Sequence, residues 1–181
     1  MTALDAARRR RSRPLVTAAA PTTEELLPLI EGAATVADHG SLRPWRIIEL
    51  RGSSRGRLGD ALAAASGATG AGAAKIAAKP LRAGLLLAIV ECVRPSPKVA
   101  PWEQEATAAG VGHLLSLLLD EAGWGVMWRT GPLTRTEEVR RMHSLADDEQ
   151  LLGWLYVGGV PDEPNEAPKP RVDPREFLTT L

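Results

Sequence analysis

Two adjacent arginines followed by a serine, Arg10, Arg11 and Ser12, are the first side chains along the chain that could bind an anion. Guanidinium groups hold a phosphate through paired, charge-assisted hydrogen bonds, and a serine hydroxyl adds another donor. The triplet could therefore act as a phosphate clamp near the amino terminus, although the residues alone favour the alternative that follows. The alternative is a solvated basic cluster or a weak nucleic-acid-binding arm, because Arg8 and Arg9 extend the run of positive charge.

Two later segments place polar side chains where a ligand could bind. Asp38 and His39 lie in a polar loop, although a lone histidine in a loop is usually an ordinary surface residue. Trp128, Arg129 and Thr130 lie at the end of a short predicted strand. If this segment binds no ligand, Arg129 is simply an exposed residue of an edge strand. Neither segment identifies a reaction by itself.

Other arrangements of reactive side chains are excluded by their spacing. Glu103 and Glu105 are two residues apart on a predicted helix, so they point to different faces and form no acid/base pair. His113 and His143 have no Cys, His or Asp at ligand spacing, which predicts no metal site. Cys92 lies in an apolar run with no apparent base, so a nucleophilic role is not expected. No side chain is assigned as a proton-transfer catalyst.

Composition limits the classes of protein. The chain has 181 residues, of which 44% are hydrophobic, which suits one domain with a substantial core. The formal net charge of zero provides no global attraction to nucleic acid or membrane. No apolar run reaches the roughly 18 residues of a membrane span, and no apolar stretch follows the first arginines as an export signal requires. With its single cysteine, we expect a cytoplasmic protein.

The elements that must position these side chains alternate without a βαβ repeat, which favours α+β over a doubly wound sheet. No Gly-x-Gly-x-x-Gly follows a strand, so a Rossmann dinucleotide site is not expected. One capping box, Thr22 to Glu25, starts a helix, and a second is predicted at Thr134 and Glu137. The predicted helices span 2–11, 22–33, 54–66, 73–79, 102–122 and 134–143, and the predicted strands span 45–50, 85–93, 126–128 and 151–160.

Apolar spacing on the long helix predicts one face buried in the core. The predicted buried residues are Ala106, Ala109, Gly110, His113, Leu114, Leu117 and Leu118.

The segment from 161 to 181 carries five prolines and cannot form a helix or a central strand. We expect it to run extended over a surface. Phe177 and Leu178 near its end need an apolar surface, which favours an arm that wraps around a partner subunit. The alternative is a frayed tail.

Taken together, the motifs resemble the flavin-dependent nitroreductase family, in particular its compact YdjA-like branch. The resemblance covers nearly the whole chain. It implies an α+β nitroreductase-like fold with a central, mostly antiparallel sheet flanked by helices. Residues 1–160 would form the FMN-binding domain, and 161–181 would be its Pro-rich arm, wrapping the partner of a homodimer. The motifs that carry the resemblance are Arg10-Arg11-Ser12, Asp38-His39, Pro44-Trp45 and Trp128-Arg129-Thr130.

The resemblance also implies a function. FMN would be the cofactor and NAD(P)H the electron donor, with hydride passing through the flavin N5 to a nitroaromatic, a quinone or a related small-molecule acceptor. In similar proteins the Arg-Arg-Ser triplet holds the FMN phosphate, the histidine reaches the flavin bound mainly by the other subunit, and the Trp-Arg-Thr segment lies against the flavin. The implied cofactor-binding residues are Arg10, Arg11, Ser12, His39, Trp128, Arg129 and Thr130.

Two positions depart from the family pattern. Thr35 stands where similar proteins have an arginine that helps hold the flavin, and Arg43 replaces the usual polar amide before Pro44. Arg43 could compensate for the loss at position 35. Three alternatives stay open: a member of the fold that binds a flavin or another ligand without turnover, a reductase of one specific metabolite, and a nucleic-acid adaptor, which only the arginine run supports.

Overall fold

A four-stranded antiparallel sheet forms the centre of the protein. The structure is a computed structural model that describes residues 2–162, 169 and 172–181. The strand order in the sheet is β1-β2-β4-β3, and each neighbouring pair is antiparallel. This arrangement confirms the predicted α+β class. The strands are β1 Trp45–Leu50, β2 Leu85–Cys92, β3 Trp124–Arg129 and β4 Glu149–Gly159.

Six helices accompany the sheet in the described residues. The predicted capping box starts α2, where the Thr22 hydroxyl accepts from the Glu25 amide and the Glu25 carboxylate accepts from the Thr22 amide. The fourth helix begins three residues earlier than predicted and is followed by a 3₁₀ turn, Lys79–Arg82. None of these helices combines the length and hydrophobicity that a membrane crossing requires. The helices are α1 Ala3–Arg9, α2 Thr23–Ala33, α3 Ser53–Ser66, α4 Gly70–Ala77, α5 Pro101–Glu121 and α6 Glu137–Met142.

The second predicted capping box is wrong. The Thr134 hydroxyl is buried and donates to the Gly131 carbonyl at 2.8 Å, inside a 3₁₀ turn that spans Pro132–Arg135. The helix starts only at Glu137. A threonine hydroxyl can bond back to a nearby carbonyl as readily as it caps a helix, and the tight turn selects the first option.

The two faces of the sheet bury two cores. Leu85 and Leu87 of β2 face α2 and α5, whereas Leu86 and Ala88 face α3 and α6. All eight residues of β2 are buried, as expected for a strand covered on both faces. This central strand fixes the position of β4 beside it.

The predicted buried face of α5 is wrong. Ala106 and His113 are exposed, and the other five predicted residues are only half-buried. The helix is apolar on two sides, so helical spacing alone could not show which side faces the sheet. Part of the other side lies against α2, where the Leu118 side chain contacts Gly32. The residues of α5 that are buried are Gln104, Thr107, Ala108, Val111, Gly112, Leu115, Ser116 and Leu119.

The chain after α1 crosses one end of the sheet. The Arg13 amide donates to the Val126 carbonyl on the free edge of β3 at 2.9 Å. Further on, the Thr17 amide donates to the Gly159 carbonyl at 2.8 Å, and the Gly159 amide donates to the Ala19 carbonyl at 2.9 Å. These bonds fix the segment that follows the first arginines.

The carboxyl-terminal residues 172–181 are exposed and contain a 3₁₀ turn, Pro174–Phe177. Phe177 is 76% exposed and Leu178 is 79% exposed. The prolines at 164, 168 and 170 lie outside the described residues, so the extended arm over 161–181 stays a prediction.

Gly158→Ala should displace the crossing segment. A Cβ at Gly158 would overlap the Thr17 carbonyl oxygen and come within 2.7 Å of a Val16 methyl group. We expect a loss of about 1–3 kcal/mol in the free energy of unfolding, as for other overpacked sites. Thermal denaturation measures this loss, and trypsin should cleave more rapidly at the arginines in 8–13.

Gly56→Ala is the matched control, because a Cβ there meets nothing within 4 Å. This helical substitution should leave cleavage unchanged and raise stability slightly. Equal tryptic sensitivity of both variants would contradict the account of the crossing.

Candidate functional site

A cavity of about 520 Å³, here called the β3 cavity, opens beside the end of β3. Trp128, Arg129 and Thr130 all line it, so the structure brings these three predicted site residues to one cavity. Its volume lies within the range of small-molecule sites. The other lining residues are Leu62, Ile76, Lys79, Arg82, Met127, Gly131, Pro132, Leu133, Thr134, Trp154 and Tyr156.

Two glycines allow the Trp128 indole to pack between α5 and β4. A Cβ at Gly112 would lie 2.7 Å from the indole Cη2, and a Cβ at Gly153 would lie 2.5 Å from its Nε1. Gly153 has φ of 151°, beside a shift in register between β2 and β4. The His113 ring lies 4.7 Å from the Trp128 ring, centroid to centroid. Any larger residue at either glycine would push the indole away from this position.

Arg129 points to the opposite face of the sheet from Trp128, as alternate strand residues do. Its guanidinium lies 5.1 Å from the centroid of the Tyr156 ring, a cation–π distance. The Arg129 Nε and the Trp128 Nε1 are buried, and neither has a hydrogen-bond partner within the described chain. A buried donor without an acceptor is costly. An acceptor supplied by a bound molecule or a second chain would remove that cost.

A buried histidine supports the Trp154 wall of the β3 cavity. The Trp154 Nε1 donates to the His143 Nε2 at 3.0 Å, and the His143 Nδ1 donates to the Val139 carbonyl at 2.8 Å. This network needs the neutral ring protonated on Nδ1. Burial lowers the pKa of His143, which keeps the ring neutral near pH 7. No motif or spacing in the sequence pointed to this role of His143.

Sequence analysis also missed three polar side chains of this cavity. Tyr156 is buried on β4, and burial raises its pKa, so its hydroxyl stays protonated. Lys79 and Arg82 reach the cavity from the 3₁₀ turn after α4. The only sequence signal for Tyr156 is that it is the single tyrosine of the chain. Lys79 and Arg82 lie where the predicted helix over 73–79 ends, so they carried no signal for a cavity.

A second cavity, of about 460 Å³ and here called the arginine cavity, lies near the start of β3. Arg11 lines it, whereas Ser12 is exposed and Arg10 follows the last residue of α1 with its side chain half-buried. The triplet thus lies after the helix rather than in its last turn. The other lining residues are Arg8, Arg9, Arg13, Asp120, Gly123, Trp124, Val160 and Lys169.

Positive charge dominates the arginine cavity. Arg9 forms an ion pair with Glu121 at the end of α5, and the Lys169 amine donates to the Arg8 carbonyl. The pKa of Lys169 is lowered, first by desolvation and next by the nearby positive charges of Arg11 and Arg10. Such a concentration of cations fits a phosphate or another multivalent anion.

His39 lies far along the chain from both cavities, in a 3₁₀ turn next to the start of α5. Its Nδ1 is 2.9 Å from a carboxylate oxygen of Glu103, and this hydrogen bond lowers the pKa of Glu103. Asp38 has a structural role, because its carboxylate accepts from the Leu42 and Arg43 amides. The His39 side chain itself is largely exposed.

A single chain does not gather the seven predicted residues into one cavity. Arg11 and Arg129 lie near opposite ends of β3, and a strand of six residues is about 20 Å long. His39 contacts the first turn of α5, whereas Arg9 contacts its last turn, about 30 Å away along a 21-residue helix.

The two departures from the family pattern line neither cavity. The Thr35 hydroxyl donates to the Gly32 carbonyl at the end of α2. Arg43 has φ of 47°, and its amide donates to Asp38 at 2.8 Å. No contact in the described chain shows Arg43 compensating for Thr35.

Within the described residues, no three His, Cys, Asp or Glu side chains could hold a metal ion together. Burial raises the pKa of Cys92 to about 11, so the thiol is protonated at neutral pH. The neighbouring Glu149 forms a bidentate pair with Arg46, at 2.6 and 2.7 Å, which lowers the pKa of Glu149 to about 2. These groups join β1, β2 and β4 at the end of the sheet where β4 begins.

Solved structures with this fold are nitroreductase-like. The chain resembles a nitroreductase-like family protein from Bacillus cereus with a TM-score of 0.85 and 22% identity, covering 100% of this chain and 96% of that one. It also resembles NfnB from Sphigopyxis sp. strain HMH, described as an FMN and NADPH-dependent nitroreductase. That match has a TM-score of 0.78 and 21% identity, covering 100% and 99% of the two chains. At these low sequence identities, the structural similarity establishes the fold alone.

Sequence comparison establishes the family. The model of the Nitroreductase family matches residues 6–159. YdjA of Escherichia coli strain K12, whose name describes an NAD(P)H nitroreductase, is 30% identical over 161 residues, 87% of this chain and 88% of that protein. A Haemophilus influenzae protein with a similar name is 28% identical over 186 residues, with full coverage of both. The chain belongs to the nitroreductase family, whose members are oxidoreductases, and the predicted resemblance to its YdjA-like branch is confirmed.

Proposed function

We propose that the protein is an FMN-dependent oxidoreductase that uses NAD(P)H to reduce nitroaromatic, quinone or related small-molecule acceptors. The observation that carries the proposal is the β3 cavity, where Trp128, Arg129 and Thr130 meet aromatic and cationic side chains. The names of YdjA and NfnB support the donor, and that of NfnB supports the cofactor. The compartment we expect is the cytoplasm.

The types of residue present fit the two parts of a flavin mononucleotide, a phosphate and a planar ring, although in one chain these residues line separate cavities. Arg10, Arg11 and Ser12 offer the guanidinium and hydroxyl donors that suit a phosphate dianion. The β3 cavity offers an apolar surface for a planar ring and a cation at Arg129. When bound, FMN would supply the ring that takes a hydride from NAD(P)H at N5 and reduces the acceptor.

The protein's own contribution is positioning and electrostatics. Arg129 would stabilise negative charge on the polar edge of a bound ring, since its guanidinium is fixed over Tyr156. The His143–Trp154 hydrogen bond holds one wall of the cavity still. A bound ring would displace water from the cavity, which would strengthen the interaction of Arg129 with developing charge.

We further propose a homodimer with two sites at its interface. His39 is exposed and lines neither cavity of its own chain, which suits a residue that reaches a cofactor bound mainly by a partner. The half-buried Leu117 on α5 and the exposed tip at Phe177 and Leu178 offer surfaces for that partner. A site built this way has no complete set of ligands in one chain.

A visible spectrum of the purified protein tests the redox proposal. We expect a yellow protein whose flavin absorbance bleaches when NADH or NADPH is added without oxygen, and recovers when a nitroaromatic or quinone follows. A protein that holds FMN but ignores both nucleotides would instead be a flavin-binding member of the fold without turnover. A colourless protein that does not bind added FMN would contradict the proposal.

Replacing Arg10 and Arg11 together by alanine should strip the flavin. Hydrogen bonds to charged groups are worth about 1.5–3 kcal/mol each, so the dissociation constant for FMN should rise at least about a hundredfold. Fluorescence titration of the apoprotein with FMN measures this change. Arg57→Ala with Arg94→Ala is the control, because both side chains are exposed and line neither cavity. Unchanged FMN affinity in the Arg10 and Arg11 variant would exclude the clamp.

Removing the residues after Val160 should convert the dimer into monomer or insoluble protein. The reason is that the truncation deletes Phe177 and Leu178, which have no apolar partner within the described chain. Light scattering gives the mass in solution. Thr179→Ala with Thr180→Ala, in the same tail, should leave the dimer intact. A truncated protein that remains dimeric would argue against the wrapping arm.

A further inference from the structure

Three cations surround the β3 cavity without a neighbouring carboxylate. Lys79 and Arg82 come from the 3₁₀ turn after α4, and Arg129 comes from β3. None of the residues lining the cavity is Asp or Glu. Across the described chain, these three cations form no ion pair within 4.0 Å, although many other arginines do. Like charges around one opening repel each other unless an anion lies between them.

The inner walls of the same cavity are apolar. Leu62 and Ile76 line it from α3 and α4, and Met127 and Trp154 line it from the sheet. An apolar body would bury its surface against these walls, which is favourable in water. A molecule that satisfies both parts of the cavity is therefore apolar over most of its surface and negatively charged at one end.

Tyr156 provides a neutral donor within this cavity. Its hydroxyl has no hydrogen-bond partner in the part of the chain that is described, and its raised pKa keeps the proton on the oxygen. Arg82 and Arg129 line the same cavity as this phenol, and the Arg129 guanidinium lies 5.1 Å from the centroid of its ring. Two cations and an O–H group thus line one cavity.

We propose that Lys79 and Arg82 make the β3 cavity selective for acceptors that carry a carboxylate on an aromatic ring. The proposal rests on the proposed function, and it adds the class of acceptor. A guanidinium matches a planar carboxylate with two parallel hydrogen bonds, and an ammonium adds a point charge. Arg129, held over Tyr156, remains for the polar edge of the cofactor.

Direct binding of a redox-inert probe tests the proposal without any need for turnover. The probe pair is 4-methylbenzoate and its neutral isostere 4-methylbenzamide, and the signal is the fluorescence of Trp154, which lines the cavity on the same face of the sheet as Tyr156. We expect the carboxylate to bind at least about tenfold more tightly than the amide, with a preference that weakens as salt is added. Equal binding of the two probes would overturn the proposal.

Lys79→Gln with Arg82→Gln should abolish that preference. Each lost charge-assisted contact is expected to weaken carboxylate binding about tenfold, and the amide should be unaffected. The control is Arg57→Gln with Lys98→Gln, which removes one arginine and one lysine that are exposed and line neither cavity. The control should keep the preference.

The same variants distinguish an acceptor from the cofactor phosphate. With FMN bound, the KM for 4-nitrobenzoate should rise about tenfold or more in the Lys79 and Arg82 variant, while the KM for 4-nitrobenzamide and the affinity for FMN stay unchanged. Loss of FMN affinity in this variant would mean that the two cations hold the cofactor phosphate, and would overturn the proposal. A protein that binds 4-methylbenzoate selectively but reduces nothing would refute the proposed function and leave the anion site standing.

Discussion

Glycines at a few positions of β3 and β4 let other parts of the chain lie directly against the sheet. Gly125 and Gly158 are opposite each other on neighbouring strands, and Val16 and Thr17 pack over them. Further along β4, Gly153 leaves space for the Trp128 indole. Because packed interiors tolerate almost no overlap, these contacts place both the first arginines and the Trp128–Thr130 segment.

Charge is the second feature that shapes the protein, and it acts locally. The formal net charge is zero, yet most of the charged side chains that line the two cavities beside β3 are cations. Acidic side chains are used elsewhere, as in the pair that Glu149 forms with Arg46. A neutral protein can therefore carry two locally cationic regions, because interactions between exposed charges fade within about 8–10 Å at physiological salt.

The sequence predicted the elements well where the pattern depends on local chemistry. The strand at Trp45–Leu50 agrees with its predicted bounds, and the capping box at Thr22 forms as expected. Prediction failed where local patterns had two solutions. The α5 helix is apolar on two sides, so its spacing did not reveal that Val111 rather than His113 faces the sheet. The Thr134 hydroxyl could cap a helix or close a turn. In the folded chain it closes the turn, where it donates to the Gly131 carbonyl.

The sequence by itself determined the family, the α+β class and the types of side chain available to the proposed cofactor site, because these follow from motif order and local preferences. The tertiary structure decided which side chains share a space. It separated Arg11 from Arg129 along β3, and it brought Lys79 and Tyr156 to one cavity although they are far apart in the chain. The physical reason is that the lining of a cavity depends on how the helices pack on the sheet. Those contacts join residues that are distant in the chain, and no periodic spacing in the sequence predicts them.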